Sequence, residues 1–170
     1  MILSDNELHR YCQEEALVRP YRPEHVQPAS IDVHLGPEIL VEAPLLDSGW
    51  RTVDISQGFA LDPGQFVLAS TEEVVTVPEE LVGDFVLRSS MARSGLNHCL
   101  AGLLDPGFRG QVTLELTNLR RAMPLRLTTG LRVGQLVFHT LTSRPARSYA
   151  DIGHYCDQVG PTLPRYDVQA

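Results

Sequence analysis

From Pro28 onward, short apolar runs alternate with glycine and proline. The runs cover residues 31–35, 39–43, 66–69, 74–77, 85–87, 112–116 and 135–141 and are rich in Val, Leu and Phe. Turn-forming groups separate them, including Asp62-Pro63-Gly64, Asp105-Pro106-Gly107 and Thr129-Gly130. Short runs punctuated in this way predict an all-β barrel or sandwich. The N-terminal stretch follows a different period. Leu8, Tyr11, Cys12 and Ala16 recur at helical spacing behind Ser4 and Glu7, which are spaced as a capping box. Pro20 and Pro23 stop the pattern, so a helix is expected within residues 1–20. The run Val77-Pro78-Glu79-Glu80-Leu81 has the composition of one helical turn. Residues 144–170 lack periodicity and carry Pro145, Pro161 and Pro164. Composition there favours a mobile arm, with a docking arm or lid as the alternatives.

A chain of 170 residues with 43% hydrophobic positions suits one domain with a real core, spanning residues 1–170. No apolar run is long enough to cross a membrane, and the N-terminus lacks a basic-then-apolar leader. A cytoplasmic location and no membrane partner are therefore expected. The three cysteines, Cys12, Cys99 and Cys156, are odd in number and far apart, which argues against a disulfide framework. Neither C-x-x-C nor H-x-E occurs, which removes the usual zinc signatures and with them zinc-dependent deamination. The net charge of -7 disfavours general nucleic-acid binding, which depends on phosphate neutralisation. All 14 basic residues are arginine. Arginine grips phosphate bidentately but supplies no titrating amine, so lysine-based covalent or base chemistry is excluded.

Three stretches stand out as candidates for chemistry. In Arg88-Ser89-Ser90-Met91-Ala92-Arg93, two arginines flank two hydroxyls. At a helix start this segment would face an anion, although a capped helix with solvated arginines has the same sequence. In Asp105-Pro106-Gly107-Phe108, a turn holds an acid and an aromatic, and by itself it reads as an ordinary hairpin turn. In the strand 111–118, Val112, Leu114 and Leu116 point one way while Thr113, Glu115 and Thr117 point the other. Glu115 on such a face is a plain surface residue unless something shields it. Shielded from water, it would have a raised pKa and could move protons.

Taken together and in order, these segments resemble the dCTP deaminase branch of the dUTPase superfamily. The likeness also rests on Ala29-Ser30-Ile31-Asp32-Val33-His34-Leu35-Gly36, on Gly134-Gln135-Leu136, and on Tyr155, Gln158-Val159-Gly160-Pro161-Thr162 and Arg165. It implies a mainly β, distorted barrel or jelly-roll-like homotrimer with active sites shared between subunits. It implies deamination of dCTP to dUTP and ammonia without zinc, in pyrimidine deoxynucleotide metabolism. Glu115 would move the protons, supported by Ser89 and Arg93. The segment Arg88, Ser89, Ser90, Met91, Ala92 and Arg93 would lie along the triphosphate, with Mg2+ carried by the nucleotide and no protein side chain as its ligand. Asp105 would receive the 3'-hydroxyl and Phe108 would exclude a 2'-hydroxyl. The backbone of Thr113, Leu114 and Glu115 would read the base, and Ala101, Gln135, Tyr149, His154 and Gln158 would complete the nucleotide contacts. dTTP is a possible inhibitor.

The chain departs from the family pattern in several places. His154 stands where a lysine is usual, Leu100 stands where a threonine is common, and the loop at 96–101 is short. Gly102 resembles members that also convert dUTP to dUMP, with Asp105 activating a second water. The alternatives are therefore a dUMP-forming bifunctional enzyme, a dUTPase proper, a deaminase of a 5-substituted dCTP, or a nucleotide sensor on the same scaffold.

Overall fold

The computed structural model describes residues 1–166. The strands, in chain order, are β1 (Val18–Arg19), β2 (Val26–Gln27), β3 (Ser30–His34), β4 (Glu38–Glu42), β5 (Trp50–Asp54), β6 (Phe59–Leu61) and β7 (Phe66–Thr76). They continue with β8 (Leu81–Leu87), β9 (Leu96–Asn97), β10 (Leu103–Leu104), β11 (Arg109–Asn118), β12 (Leu125–Leu127) and β13 (Arg132–Thr140). Three short helices are interspersed: α1 (Asp5–Glu14), α2 (Ser89–Arg93) and α3 (Tyr149–Ile152). One sheet runs β5-β4-β7-β11-β9 with β1 attached to β7, a second runs β10-β8-β13-β3-β2, and β6 pairs with β12. The fold is thus mainly β, and neither large sheet closes on itself. No described helix is long and apolar enough to cross a membrane.

The alternation seen in the sequence explains the core. On β11 every second residue is buried, with Val112, Leu114 and Leu116 at 4%, 2% and 0% exposure. These side chains join Val67, Ile39, Leu136 and the fully buried Phe138 from the other strands in one cluster. Long central strands β7 and β11 pair antiparallel, and β13 pairs with both β3 and β8. Buried Asn118 fastens the end of β11. Its amide donates to the carbonyls of Leu61 (2.9 Å) and Met123 (3.0 Å), and its Oδ1 accepts from Arg120 N–H (2.9 Å).

Several expectations need correction. The N-terminal helix covers only residues 5–14 of the expected 1–20. Ala16 adopts φ +57°, Leu17 N–H turns back to the Tyr11 carbonyl, and the chain leaves to pair β1 with β7. Ser4 is the N-cap, but its side chain makes no capping bond, and Glu7 pairs with Arg10 instead. The runs 66–69 and 74–77 merge into the single strand β7. Residues 77–81 form a turn closed by Leu81 N–H to the Pro78 carbonyl (3.0 Å), because Leu81 already starts β8. The Asp105-Pro106-Gly107 turn is no hairpin: β10 lies in one sheet and β11 in the other, so the turn carries the chain between sheets.

The C-terminal arm is docked along its described part, and residues 167–170 fall outside the described residues. Gln158 forms a parallel bridge with Gly110. Gln111 N–H donates to the Gln158 carbonyl (3.0 Å), Asp157 N–H donates to the Arg109 carbonyl (2.6 Å), and the Arg109 and Asp157 side chains form an ion pair. Main-chain hydrogen bonds of this kind leave no apolar period in the sequence, which is why composition pointed to mobility.

Candidate active site

The polar side of β11 does not face open water. Glu115 is paired across the ladder with Leu68, which is paired in turn with Leu40 of β4. Phe66 stands beside Leu68, with the Trp50 ring edge-on to it at 6.2 Å. β5 thus brings an aromatic wall across the sheet. On the opposite side, the turn after β10 folds back through Phe108 N–H to the Asp105 carbonyl (3.0 Å). Phe108 packs against Tyr149 of α3 with ring centroids 5.9 Å apart. Between these walls lies a pocket of about 410 Å3. Its lining includes Ala101, Asp105, Phe108, Thr113, Glu115, Tyr149 and Gln158, seven of the residues singled out in the sequence.

Local irregularities shape this pocket. The register of β11 against β7 shifts between Gln111 and Thr113. There Val112 N–H leaves the ladder and donates to Thr71 Oγ1 (2.9 Å), while that hydroxyl donates to the Glu73 carbonyl (2.7 Å). A bulge of this kind re-aims the side chains that follow it. The arm fastens on the same irregular stretch. Gln158 Nε2 donates to the Gln111 carbonyl (2.7 Å), Gly160 N–H donates to Gln111 Oε1 (2.6 Å), and Thr162 N–H donates to Thr113 Oγ1 (3.2 Å). Tyr155, Gln158, Thr162 and Pro164 of the arm complete the lining. β9 meets β11 only at Thr117 and Asn118, and the arm bonds its main chain only at 109–111. Between them, among the described residues, no strand pairs with that edge of β11 beside Glu115.

Burial raises the Glu115 pKa above the ordinary carboxylate value, partly offset by a backbone hydrogen bond. An apolar wall opposite and no described ion pair together penalise the charged form. Burial likewise pushes the Tyr149 hydroxyl up. Gln158 Oε1 is buried without a hydrogen-bond partner among the described residues, leaving one acceptor for a ligand or water. The site therefore combines a half-buried carboxylate of raised pKa, an aromatic wall and open backbone groups.

The remaining sequence candidates lie elsewhere. Arg88, Ser89, Ser90 and Gln135 line a second pocket of about 390 Å3, together with Gln27, Ser30 and Asp32. Arg88 is the N-cap of α2 and donates to buried Asp32 at 3.3 Å, an oxygen shared with Arg132 at 3.3 Å. Ser30 donates to Gln135 Oε1 at 3.0 Å. Met91 packs against the core, Ala92 and Arg93 are exposed, and none of residues 88–93 lines the Glu115 pocket. The Leu114 side chain is in the core, leaving only its backbone near the pocket. His154 is exposed on the arm, where its carbonyl accepts from Arg165 at 2.5 Å. Sequence reasoning missed Trp50, Phe66, Leu68, Leu103 and Tyr155 as pocket residues. The single tryptophan was the signal available for the first of these.

Ala101 reaches the pocket mouth through a tight turn in which Cys99 and Leu100 both take positive φ, at 55° and 60°. The next residue is Gly102, and a Cβ there would stand 2.5 Å from the Phe85 carbonyl oxygen and 3.2 Å from its nitrogen. Both atoms belong to a paired strand and cannot move aside. Gly102→Ala is expected to destabilise the fold by about 1–3 kcal/mol through overpacking. A lowered denaturation midpoint measures the effect, and an unchanged midpoint would show that the strand gives way freely.

A profile of the family described as dCTP deaminase-like matches residues 2–141. A protein of Streptomyces griseus named "dCTP deaminase, dUMP-forming" is 38% identical over 182 residues, covering 97% of this chain and 95% of that relative. A protein of Dictyoglomus thermophilum with the same name is 40% identical over 188 residues, covering 99% and 96%. Among solved structures, the 2'-deoxycytidine 5'-triphosphate deaminase of Agrobacterium tumefaciens superposes with a TM-score of 0.69 at 22% identity. That match covers 82% of this chain, which spans about half (48%) of the Agrobacterium chain. At that identity the superposition shows the fold. The family match and the relatives show more: the chain belongs to the dCTP deaminase-like family.

Proposed function

We propose that this member of the dCTP deaminase-like family hydrolyses dCTP at C4 and carries the product on to dUMP. The single observation behind the first step is Glu115, half-buried and raised in pKa, on the wall of a pocket that also holds Phe108, Asp105 and Thr113. Cytosine enters this pocket with its edge against the unpaired backbone at 113–115. Glu115 takes a proton from a water that attacks C4, and then delivers a proton to N3. The C4 hydroxyl proton passes to the amino nitrogen, the C4–N4 bond breaks as the C4 carbonyl forms, and dCTP plus water becomes dUTP plus ammonia. One carboxylate serves both transfers when its pKa lies near working pH.

The relatives' printed names favour the dUMP-forming alternative over release of dUTP. In the second step a water oriented by Asp105 attacks the α-phosphorus, and dUTP plus water becomes dUMP plus pyrophosphate. Asp105 is exposed at the pocket rim, where it also receives the 3'-hydroxyl, while buried Phe108 closes off the 2' side. Gln158 and Tyr149 complete the sugar side of the pocket. Mg2+ rides on the triphosphate, a hard cation that keeps its waters and needs no protein cage.

The triphosphate itself needs positive charge, and the Glu115 pocket has no arginine in its lining. Arg88, Ser89 and Ser90 line a different pocket of the same protomer. We therefore propose a homotrimer in which the 88–93 segment of one subunit, with Gln135, completes the Glu115 pocket of its neighbour. There Ser89 and Arg93 assist the chemistry, Arg88 lies along the phosphates, and His154 of the arm approaches the same charge. dTTP, sharing sugar and phosphates, competes for this site.

Incubating the protein with Mg2+ and dCTP, and in parallel with dUTP, and following ammonia, pyrophosphate and nucleotide tests the proposal. Ammonia and pyrophosphate released in equal amounts, with dUMP, is the expected result. Accumulation of dUTP would limit the enzyme to deamination. Pyrophosphate from dUTP with no ammonia from dCTP would make it a dUTPase.

A further inference from the structure

Away from both pockets, the 3-10 turn Pro23–His25, the end of β3 and the middle of β7 meet at a small cluster of ligating side chains. The cluster consists of His25, His34 and Glu73. One ligand atom from each lies within 4.8 Å of the others. Glu73 is 1% exposed, an unusual place for a carboxylate. Its Oε2 accepts from the backbone N–H of His34 (2.9 Å), and its Oε1 lies 2.7 Å from His34 Nδ1. The His25 and His34 rings are 4.5 Å apart and tilted by 39°. Neither the mechanism above nor the core needs two imidazoles gathered beside a buried carboxylate.

We infer that His25, His34 and Glu73 form a binding site for a borderline divalent metal ion such as Zn2+ or Co2+. Two imidazoles and a carboxylate are a three-ligand set for such ions, leaving a fourth position for water. Bonds of about 2.0–2.1 Å to a tetrahedral ion place ligand atoms roughly 3.3 Å apart. Reaching that geometry requires the 2.7 Å contact to open slightly and the 4.8 Å spread to close. His25 can supply the movement, since it is only half-buried and sits on a short turn. The backbone bond to Oε2 and the Thr71 hydroxyl bond to the Glu73 carbonyl hold Glu73 in place from behind. Such outer bonds orient ligands for metal.

Nearby cations do not forbid a metal. Arg22 reaches Glu73 only at 3.5 Å, while its short bond of 2.6 Å goes to Glu72. Arg132 also lies near His25, but it and Arg88 share the Asp32 carboxylate. Glu24 adds a further negative charge beside His25. Around His25, Arg22 and Arg132 thus stand against Glu24, and each arginine already has a carboxylate partner in Glu72 or Asp32.

Co2+ titration of the full-length chain, stripped with EDTA and kept reduced, tests the inference by visible absorption and calorimetry. One ion per chain is expected, with tetrahedral d–d bands and no thiolate charge-transfer band. His25→Ala is expected to weaken binding at least tenfold without moving the denaturation midpoint in EDTA. Half-buried His139→Ala, remote from the cluster on β13, is expected to leave binding unchanged. Absence of saturable binding would overturn the site. So would a thiolate band marking a cysteine site, or equal affinity in His25→Ala. Because His25 is half-exposed, this variant should fold even if the buried His34 and Glu73 tolerate no change.

Discussion

Replacing Glu115 with glutamine is expected to lower the deamination rate by about 10²–10⁴-fold, the usual worth of a positioned acid–base group. Glutamine keeps the volume and hydrogen-bonding shape of the side chain but cannot carry the proton, so dCTP should still bind. Stability should move the other way. Burial raises the folded-state pKa of Glu115 above its ordinary value. Between the unfolded and folded values, the folded state binds more protons. Stability therefore falls as pH rises through that window, and the cost persists above it. Glu115→Gln removes the cost, so the variant should melt no lower than wild type at neutral pH, with the difference disappearing in acid. An inactive variant that also melts well below wild type at neutral pH would mark Glu115 as structural. The acidic limb of the rate profile should likewise lie above that of an ordinary glutamate.

The second large effect concerns subunit sharing. Arg93→Ala and Glu115→Gln are each expected to be inactive alone. When the two are mixed, unfolded together and refolded as trimers, activity should return to about a quarter of the wild-type level. In a closed trimer with each site built from two neighbouring chains, random assembly gives about one site in four with both residues intact. Arg93 is exposed and outside the Glu115 pocket of its own protomer, so in the proposed trimer the pairing comes from another copy. No recovered activity in mixed trimers would place both residues in one protomer's site and remove the reason for the trimer.

Much of strand β11 was visible in the sequence. The alternation of Val112, Leu114 and Leu116 with Thr113, Glu115 and Thr117 determines which face each side chain takes, and the structure keeps that order. The character of the opposite face was not visible. Phe66, Leu68 and Trp50 reach Glu115 only because β7 pairs with β11 on one side and β4 on the other, with β5 beyond β4. The β7–β11 pairing joins Leu68 to Glu115 and the β4–β7 pairing joins Leu40 to Leu68, separations that no local period encodes. β5 itself reads Trp50-Arg51-Thr52-Val53-Asp54, too polar to register as a core strand. The Asp105-Pro106-Gly107 turn was legible as a turn, but its crossing between sheets was not, because the same residues serve a hairpin equally well. The arm hid for a third reason: its docking rests on backbone bonds and on the Gln111, Gln158 and Thr113 side chains rather than on buried apolar groups. The resemblance implies a phosphate-binding role for the two arginines of 88–93, whereas their separation from Glu115 within one chain is a property of the three-dimensional fold.

A crystal structure of Glu115→Gln with dCTP and Mg2+ tests the central claim most directly. The cytosine ring should sit in the pocket between Phe108 and the β11 edge, with C4 one water away from the side chain at position 115 and the triphosphate against residues 88–93 of a neighbouring subunit. Cytosine bound elsewhere, or a residue-115 side chain turned away from C4 with no water between them, would contradict it.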